Sequence, residues 1–208
     1  FTLFCILILL NGSNFIDGLN NLQTGYYILV LISILMLANQ QNLLLDYKFT
    51  YLLLGILIVF YIFNFFGLCF LGDGGSYIIS FICSLFVIDF ANTNSEVSPY
   101  FIVLLLWYPA FENFFSITRR KFFNKKNVLF PDNFHFHQLL FMTVKKYIPK
   151  NNFSNTISGN LIVLFQIVPF YIASQNYLST QVLTLLIYLN IFIYVFFYFK
   201  LKNINKFQ

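Results

Sequence analysis

The stretch FTYLLLGILIVFYIFNFF, residues 49–66, runs for eighteen residues without a charged side chain. A helix that spans a bilayer needs about 20 consecutive, mostly apolar residues, and shorter runs can serve next to cavities. The run is continuously apolar and does not alternate between apolar and polar positions, which favours a helix over a strand of a membrane barrel. The stretch therefore predicts a transmembrane helix.

Similar runs occupy most of the chain. Hydrophobic residues make up 59% of the 208 residues, charged residues only 9%, and the mean hydropathy is +0.76. Because soluble domains carry about 25% charged residues, this composition excludes an ordinary soluble enzyme, a disordered tail and a secreted disulfide scaffold. The other predicted spans are Leu22–Ala38, Ser76–Phe90, Pro99–Ile117, Thr156–Ala173 and Val182–Phe199.

A seventh apolar run, 1–10, begins at Phe1 and is too short to cross a bilayer. We interpret it as a truncated span, so that the chain is expected to be the C-terminal part of a longer protein. The predicted fold is an all-α, polytopic transmembrane helix bundle with about six full spans and one truncated span. We treat residues 1–208 as a single membrane domain.

Lysine and arginine are concentrated in one set of connectors. The predicted connectors alternate between the two membrane faces, and cytoplasmic connectors carry an excess of these residues. One set holds eleven of the twelve Lys and Arg residues, and the other holds only Lys48. We therefore predict that the first set is cytoplasmic. This set comprises residues 11–21, 67–75, 118–155 and 200–208, and the opposite set comprises 39–48, 91–98 and 174–181.

The first polar cluster is NGSNFIDGLNN, residues 11–21. On a helix, Asn11, Asn14 and Asp17 share one face, since they recur at three-residue spacing. The side-chain oxygen atoms of Asn14 and Asp17 suit a hard divalent cation such as Mg²⁺. The alternative is a capped helix end with solvated amides.

The second cluster is FLGDGGS, residues 70–76, in which three glycines surround Asp73. Glycines permit a tight turn and a close approach of a ligand to the backbone. The helix that follows would direct its N-terminal amides toward an anion, and Asp73 could hold a metal ion beside it. The alternative is a plain turn in which Asp73 caps the helix.

The third cluster lies within 119–140 and combines Arg119, Arg120 and several lysines with His135 and His137. Arginine and lysine side chains bind phosphate groups, and a basic face also attracts anionic lipid headgroups. The preference for positive charge in cytoplasmic connectors is sufficient to explain the lysines. For the two histidines a zinc site is an alternative, with Asp132 as a third ligand.

Together, the clusters resemble the polyprenyl-phosphate N-acetylhexosamine-1-phosphate transferase superfamily. This superfamily includes the undecaprenyl-phosphate GlcNAc-1-phosphate transferases and the phospho-N-acetylmuramoyl-pentapeptide transferases. The family pattern N-x-x-N-x-x-D-G matches residues 11–18, and F-[LM]-G-D-x-G-S matches 70–76. An arginine pair after P-x-x-[DE] matches 109–120, and the histidine motif matches PDNFHFHQLL, 131–140. The four motifs occur in the family's order.

The chain also departs from the family pattern. Many members have Asp-Gly where this chain has Asn20-Asn21. Gln138 stands where the fuller motif has a third histidine. This difference disfavours the pentapeptide-transferase branch. The family's aspartate pair would lie upstream of Phe1, so that the chain alone should lack part of the site.

The resemblance implies a transferase that moves an N-acetylhexosamine 1-phosphate from a UDP-sugar to polyprenyl phosphate and releases UMP. It further implies a Mg²⁺ cofactor, with Mn²⁺ as an alternative, and an active site on the cytoplasmic face of the bacterial inner membrane. The pathway would be envelope polysaccharide, lipopolysaccharide or peptidoglycan synthesis. The expected partners are the two substrates and the bilayer, with no nucleic acid, and a homodimer is a further expectation.

The resemblance also assigns roles to residues. It implies Asn14 and Asp73 as metal ligands, and Asp17, Asp73, His135 and His137 as catalytic residues. It implies Asn20, Arg119 and Arg120 as substrate-binding residues. The rival hypotheses are a multi-span transporter or channel subunit, whose polar residues would lie near mid-bilayer on broken helices, and a structural subunit of an envelope complex.

Overall fold

A computed structural model describes residues 2–123 and 134–206, and these residues form helices and no strands. Five of the helices are long and apolar enough to cross a membrane, and a bent pair makes a sixth span when it is counted as one. The predicted all-α polytopic bundle is confirmed. The helices are α1 (Thr2–Ile16), α2 (Leu22–Gln41), α3 (Tyr47–Phe65), α4 (Gly72–Thr93), α5 (Pro99–Leu105), α6 (Trp107–Thr118), α7 (Phe136–Tyr147), α8 (Asn151–Gln175) and α9 (Thr180–Lys206), with a π-helical turn at Arg119–Phe123.

Several helices continue beyond the apolar runs that predicted them. Helix α1 extends through the polar residues to Ile16, so that the first half of the predicted connector 11–21 is helical. Helix α8 begins at Asn151, and the hydroxyl groups of Ser154 and Ser158 there donate hydrogen bonds to backbone carbonyls of the same helix. Apolar composition marks the depth of the hydrocarbon layer, whereas helices extend into the polar interface.

The predicted span 99–117 is not one straight helix, because α5 and α6 meet at a bend of 68°. Pro109 has no N–H group and leaves the carbonyl of Leu105, four residues earlier, without its helical donor. The hydroxyl of Tyr26 donates to that carbonyl at 2.8 Å and accepts from the N–H of Tyr108 at 3.3 Å. Tyr26 is fully buried, so the polar groups exposed by the bend are satisfied inside the protein.

Hydrogen bonds join the connectors at one end of the bundle. Asn94 exchanges hydrogen bonds with both backbone groups of Leu44, and Ser98 donates its N–H to the carbonyl of Tyr177. Asn94 is 2% exposed and makes these contacts, whereas the other residues of 92–96 are exposed. The chain turns at this end between α2 and α3, between α4 and α5, and between α8 and α9.

Glycines allow the helices to approach closely, as small residues commonly do in membrane bundles. A Cβ atom on Gly12 would overlap the carbonyl group of Pro109, where α1 crosses α6. A Cβ atom on Gly159 would overlap the carbonyl oxygen of Asn20, where α8 meets the α1–α2 connector. These two contacts fix the C-terminal end of α1 relative to α6 and α8.

Candidate functional site

The C-terminal end of α1 is the place where the three polar clusters meet. The amide of Asn14 donates a hydrogen bond to the hydroxyl of Tyr77, in the first turns of α4, at 3.3 Å. The ring of Phe15 lies 5.2 Å from the ring of His135. A Cβ atom on Gly18 would lie 2.7 Å from Nε2 of His137. The structure therefore brings together residues that are up to 120 positions apart in the sequence (positions 15 and 135).

Asp17 and Asp73 are close enough to influence each other electrostatically. Partial burial and the neighbouring charge of Asp73 together raise the pKa of Asp17 to about 7. Asp73 is exposed in the first turn of α4. The repulsion between two such carboxylates is the condition that a bound cation relieves.

The donor set around these carboxylates fits Mg²⁺. This ion is commonly held by one or two carboxylates, waters and substrate phosphates and does not need a cage made only of protein groups. Asn14 uses its amide nitrogen for Tyr77 and keeps its oxygen as an acceptor. Asp17, Asp73 and Asn14 therefore offer the hard oxygen ligands that such an ion prefers.

The zinc alternative finds no support in the described part of the chain. No group of three or more His, Cys, Asp or Glu residues there could hold a metal ion, and Asp132 lies outside the described residues. Both ring nitrogens of His135 are engaged, Nδ1 with Glu112 at 2.9 Å and Nε2 with Arg120 at 3.4 Å. A zinc ligand needs one of these lone pairs free.

His137 differs from His135 in having no hydrogen-bond partner among the described residues. It is 1% exposed, and neither of its ring nitrogens has a hydrogen-bond partner among the described residues. Burial lowers the pKa of His137 to about 4, so its imidazole is neutral near pH 7. Buried polar atoms without a partner are uncommon in native proteins and indicate a place for water or a ligand.

The two arginines lie in the π-helical turn that follows α6, and both are buried. Arg119 donates to the hydroxyl of Ser116 at 3.5 Å, which holds it against α6. Arg120 contacts His135 and therefore belongs to the histidine cluster. Gln138 also has a local role, since its side-chain oxygen accepts from the N–H of His135 and caps α7.

The hydrogen bonds of Asn20 are made mainly to other parts of the protein. Its backbone N–H donates to Oδ1 of Asn155 at 2.6 Å, and its amide donates to the hydroxyl of Thr156 at 3.2 Å. With Asp17 and Phe70, it also lines a small polar cavity of about 90 Å³. Its predicted substrate contact would therefore have to form beside these hydrogen bonds.

The departure at Asn20-Asn21 has a conformational explanation. Asn21 has a φ of 66°, a left-handed conformation that glycine adopts freely and that asparagine tolerates better than most residues. Its N–H donates to Oδ1 of Asn64 at 2.5 Å. Asparagine can therefore stand where many family members have glycine.

Sequence reasoning included Glu112 in the P-x-x-[DE] motif without a role in the site, and it missed Asn64 and Asn155 as partners of the site. Glu112 accepts hydrogen bonds from His135, and the two asparagines hold the α1–α2 connector. Two of them gave a signal, because Glu112 is the single carboxylate in the run 99–117 and Asn64 interrupts the run 49–66. Polar residues inside membrane spans point to function or to a specific partner.

Comparison with known proteins agrees with this geometry. Residues 1–91 match the family model for Glycosyl transferase family 4. The match includes Asn14, Asp17 and Asp73 and ends before the arginine and histidine cluster. The match supports the superfamily predicted from the motifs.

A curated relative supports the same superfamily. The chain is 28% identical over 134 residues to the "Probable undecaprenyl-phosphate N-acetylglucosaminyl 1-phosphate transferase" of Bacillus subtilis (strain 168). The alignment covers 62% of this chain and 37% of the relative, so the chain spans little more than a third of the relative's length. No solved structure matches the chain.

Proposed function

We propose that the protein transfers an N-acetylhexosamine 1-phosphate from a UDP-sugar to polyprenyl phosphate, with release of UMP. The observation that carries the proposal is the meeting of Asn14, Asp17 and Asp73 with an arginine and two histidines at one end of a membrane bundle. The match to glycosyl transferase family 4 and the name of the Bacillus relative support the substrate classes.

The location of the site suits the two reactants. A polyprenyl phosphate is held in the bilayer with its phosphate at the interface, and a UDP-sugar arrives from water. In the reaction a phosphate oxygen of the lipid attacks the β-phosphorus of the UDP-sugar, and the bond between that phosphorus and the bridging oxygen breaks as UMP leaves. Both reactants are anionic, so the residues at the site must offset their repulsion.

The chain's own residues divide this task. Asn14, Asp17 and Asp73 would hold Mg²⁺, which when bound neutralises charge on the pyrophosphate. Arg120 supplies donors with a fixed positive charge for phosphate oxygens. His137 is neutral, and its ring N–H has no acceptor among the described residues, so it can donate a hydrogen bond to a phosphate without adding charge.

The test compares two isosteric substitutions in membranes that contain the full-length protein. With a panel of radiolabelled UDP-sugars, the native protein should form a lipid-linked product with one of them. Asp73→Asn should lower turnover by about 10³-fold or more, the scale on which electrostatic stabilisation acts in phosphoryl transfer. Asp46→Asn is the matched control, because Asp46 is exposed at the opposite end and caps α3 with an oxygen that asparagine retains.

Three results would contradict parts of the proposal. Near-normal Mg²⁺-dependent transfer by Asp73→Asn, or an equal loss in both variants, would contradict the role of Asp73 in the site. The third is the absence of any lipid-linked product together with movement of a solute across the membrane, which would favour the transporter hypothesis.

A further inference from the structure

Glu112 lies at the centre of a buried hydrogen-bond network behind the candidate site. It is 1% exposed on α6. Its Oε1 accepts from Nδ1 of His135 at 2.9 Å and from the N–H of Phe136 at 3.3 Å, and its Oε2 accepts from the hydroxyl of Tyr194 at 2.6 Å. Glu112 therefore ties the start of α7 to α6 and α9.

The partners of His135 determine which of its nitrogens carries the proton. Arg120 approaches Nε2 at 3.4 Å, and a guanidinium group has only donors. Nε2 must therefore accept, which leaves the proton on Nδ1, where it is donated to Glu112. Each hydrogen bond to Glu112 comes from a donor, as expected around an ionised carboxylate.

We propose that Glu112 is a positioning residue that orients the guanidinium of Arg120 through His135. The carboxylate fixes His135 as the neutral Nδ1–H tautomer, and the lone pair on Nε2 then holds one N–H of Arg120. Glu112 does not touch the substrate, and its effect reaches the phosphates through Arg120. The assignment of Arg120 to phosphate rests on the proposed function, but the tautomer of His135 does not.

The network has the composition that such a role requires. The carboxylate contacts one nitrogen of the imidazole, and the guanidinium contacts the other. A negative and a positive charge therefore lie on the two sides of a neutral ring. Burial excludes water, which would otherwise compete for each hydrogen bond. Metal ligands are oriented in a similar way when a carboxylate fixes a histidine tautomer from behind.

The experiment reads the tautomer directly by NMR of the full-length protein labelled with ¹⁵N-histidine. The present chain contains two histidines, and His135→Gln and His137→Gln variants of the full-length protein assign their signals. We expect His135 to carry a proton on Nδ1 and none on Nε2. In Glu112→Ala this preference should be lost, and in Glu112→Gln it should be kept, because the amide oxygen can still accept from Nδ1.

Tyr194→Phe is the matched control for the tautomer. It removes the hydrogen bond to Oε2 and leaves Oε1 with His135, so the Nδ1–H signal should persist. In transferase assays Glu112→Ala should lower kcat by about 10²-fold, the scale of a misplacement of about 1 Å in a catalytic group. Glu112→Gln should recover most of that loss.

A proton on Nε2 of His135 in the native protein, or an unchanged signal in Glu112→Ala, would overturn the inference. If Glu112→Ala does not fold, the native and Glu112→Gln spectra still decide between the tautomers. If no UDP-sugar is used by the native protein, the proposed function fails, while the spectra continue to test the role of Glu112 toward His135.

Discussion

The crossing of α1 and α6 should be sensitive to a single methyl group at Gly12. In Gly12→Ala the new carbon would lie 2.6 Å from the carbonyl carbon of Pro109 and closer still to its oxygen. Carbon atoms in contact are normally about 3.5–4.0 Å apart, so the two backbones must separate by roughly 1 Å. Neither partner is a side chain that could rotate away. Overpacking of this kind costs about 1–3 kcal/mol of folding free energy.

The same displacement should reduce catalysis. Helix α1 carries Asn14, and α6 carries Glu112 with the arginine turn after it, so a shift of about 1 Å between the helices separates the two halves of the site and should cost about 10²-fold in turnover. Gly55→Ala is the control, because no heavy atom lies within 4 Å of the added methyl group. Thermal unfolding in nanodiscs can be followed through Trp107, the single tryptophan, two residues from Pro109. Equal stability of both variants would refute the reasoning.

Two further predictions concern orientation and acid stability. A cysteine at Glu96 should react with an impermeant reagent outside intact cells, and one at Asn151 should not. Both positions are exposed, and the reverse pattern would contradict the charge-based orientation. Burial lowers the pKa of His137 from 6.5 to about 4. Between these two pH values the unfolded state therefore binds more protons than the folded state does. The contribution of His137 to stability should therefore fall, by up to about 3 kcal/mol, as the pH decreases through that window, while the raised pKa of Asp17 acts in the opposite direction. His137→Phe removes only the contribution of His137, so its melting temperature should fall less, or rise more, than that of the native protein as the pH decreases from 6.5 to 4, and an identical dependence on pH would contradict the prediction.

The number and place of the spans could be predicted from the sequence, because the hydrocarbon layer demands a fixed length of apolar chain. The ends of the helices could not be predicted in this way. Helices α1 and α8 continue through polar residues, whose polar groups are hydrogen-bonded within the protein or lie at the interface. The bend after Leu105 was also missed. Pro109 indicated a weak point, but the bend depends on Tyr26, a residue from another helix, which satisfies the freed carbonyl.

The residues of the site were easier to predict than their partners. The sequence indicates Asn14, Asp17 and Asp73 as candidates because few polar residues occur at the ends of membrane helices and their spacing matches a motif. Glu112 was visible as a carboxylate in an apolar run, but its contact with His135 connects α6 to α7 over a separation of 23 residues in the sequence. Such contacts depend on how helices pack and leave no periodic signal in one sequence.

The distribution of polar contacts favours a transferase over a transporter. Near the bend two contacts pair buried polar groups, since Trp107 donates to Gln166 at 2.9 Å and Tyr26 bridges the broken helix, whereas the hydroxyl of Tyr108 has no hydrogen-bond partner among the described residues. A transport pathway would need polar groups at this depth that are available to a solute. At the end of α1, the ring nitrogens of His137 have no hydrogen-bond partner among the described residues, and Asp17 faces the like charge of Asp73. The titratable groups suited to a charged ligand therefore lie at the end of the bundle, where the proposed function needs a phosphate anchored in the bilayer to meet a nucleotide from water.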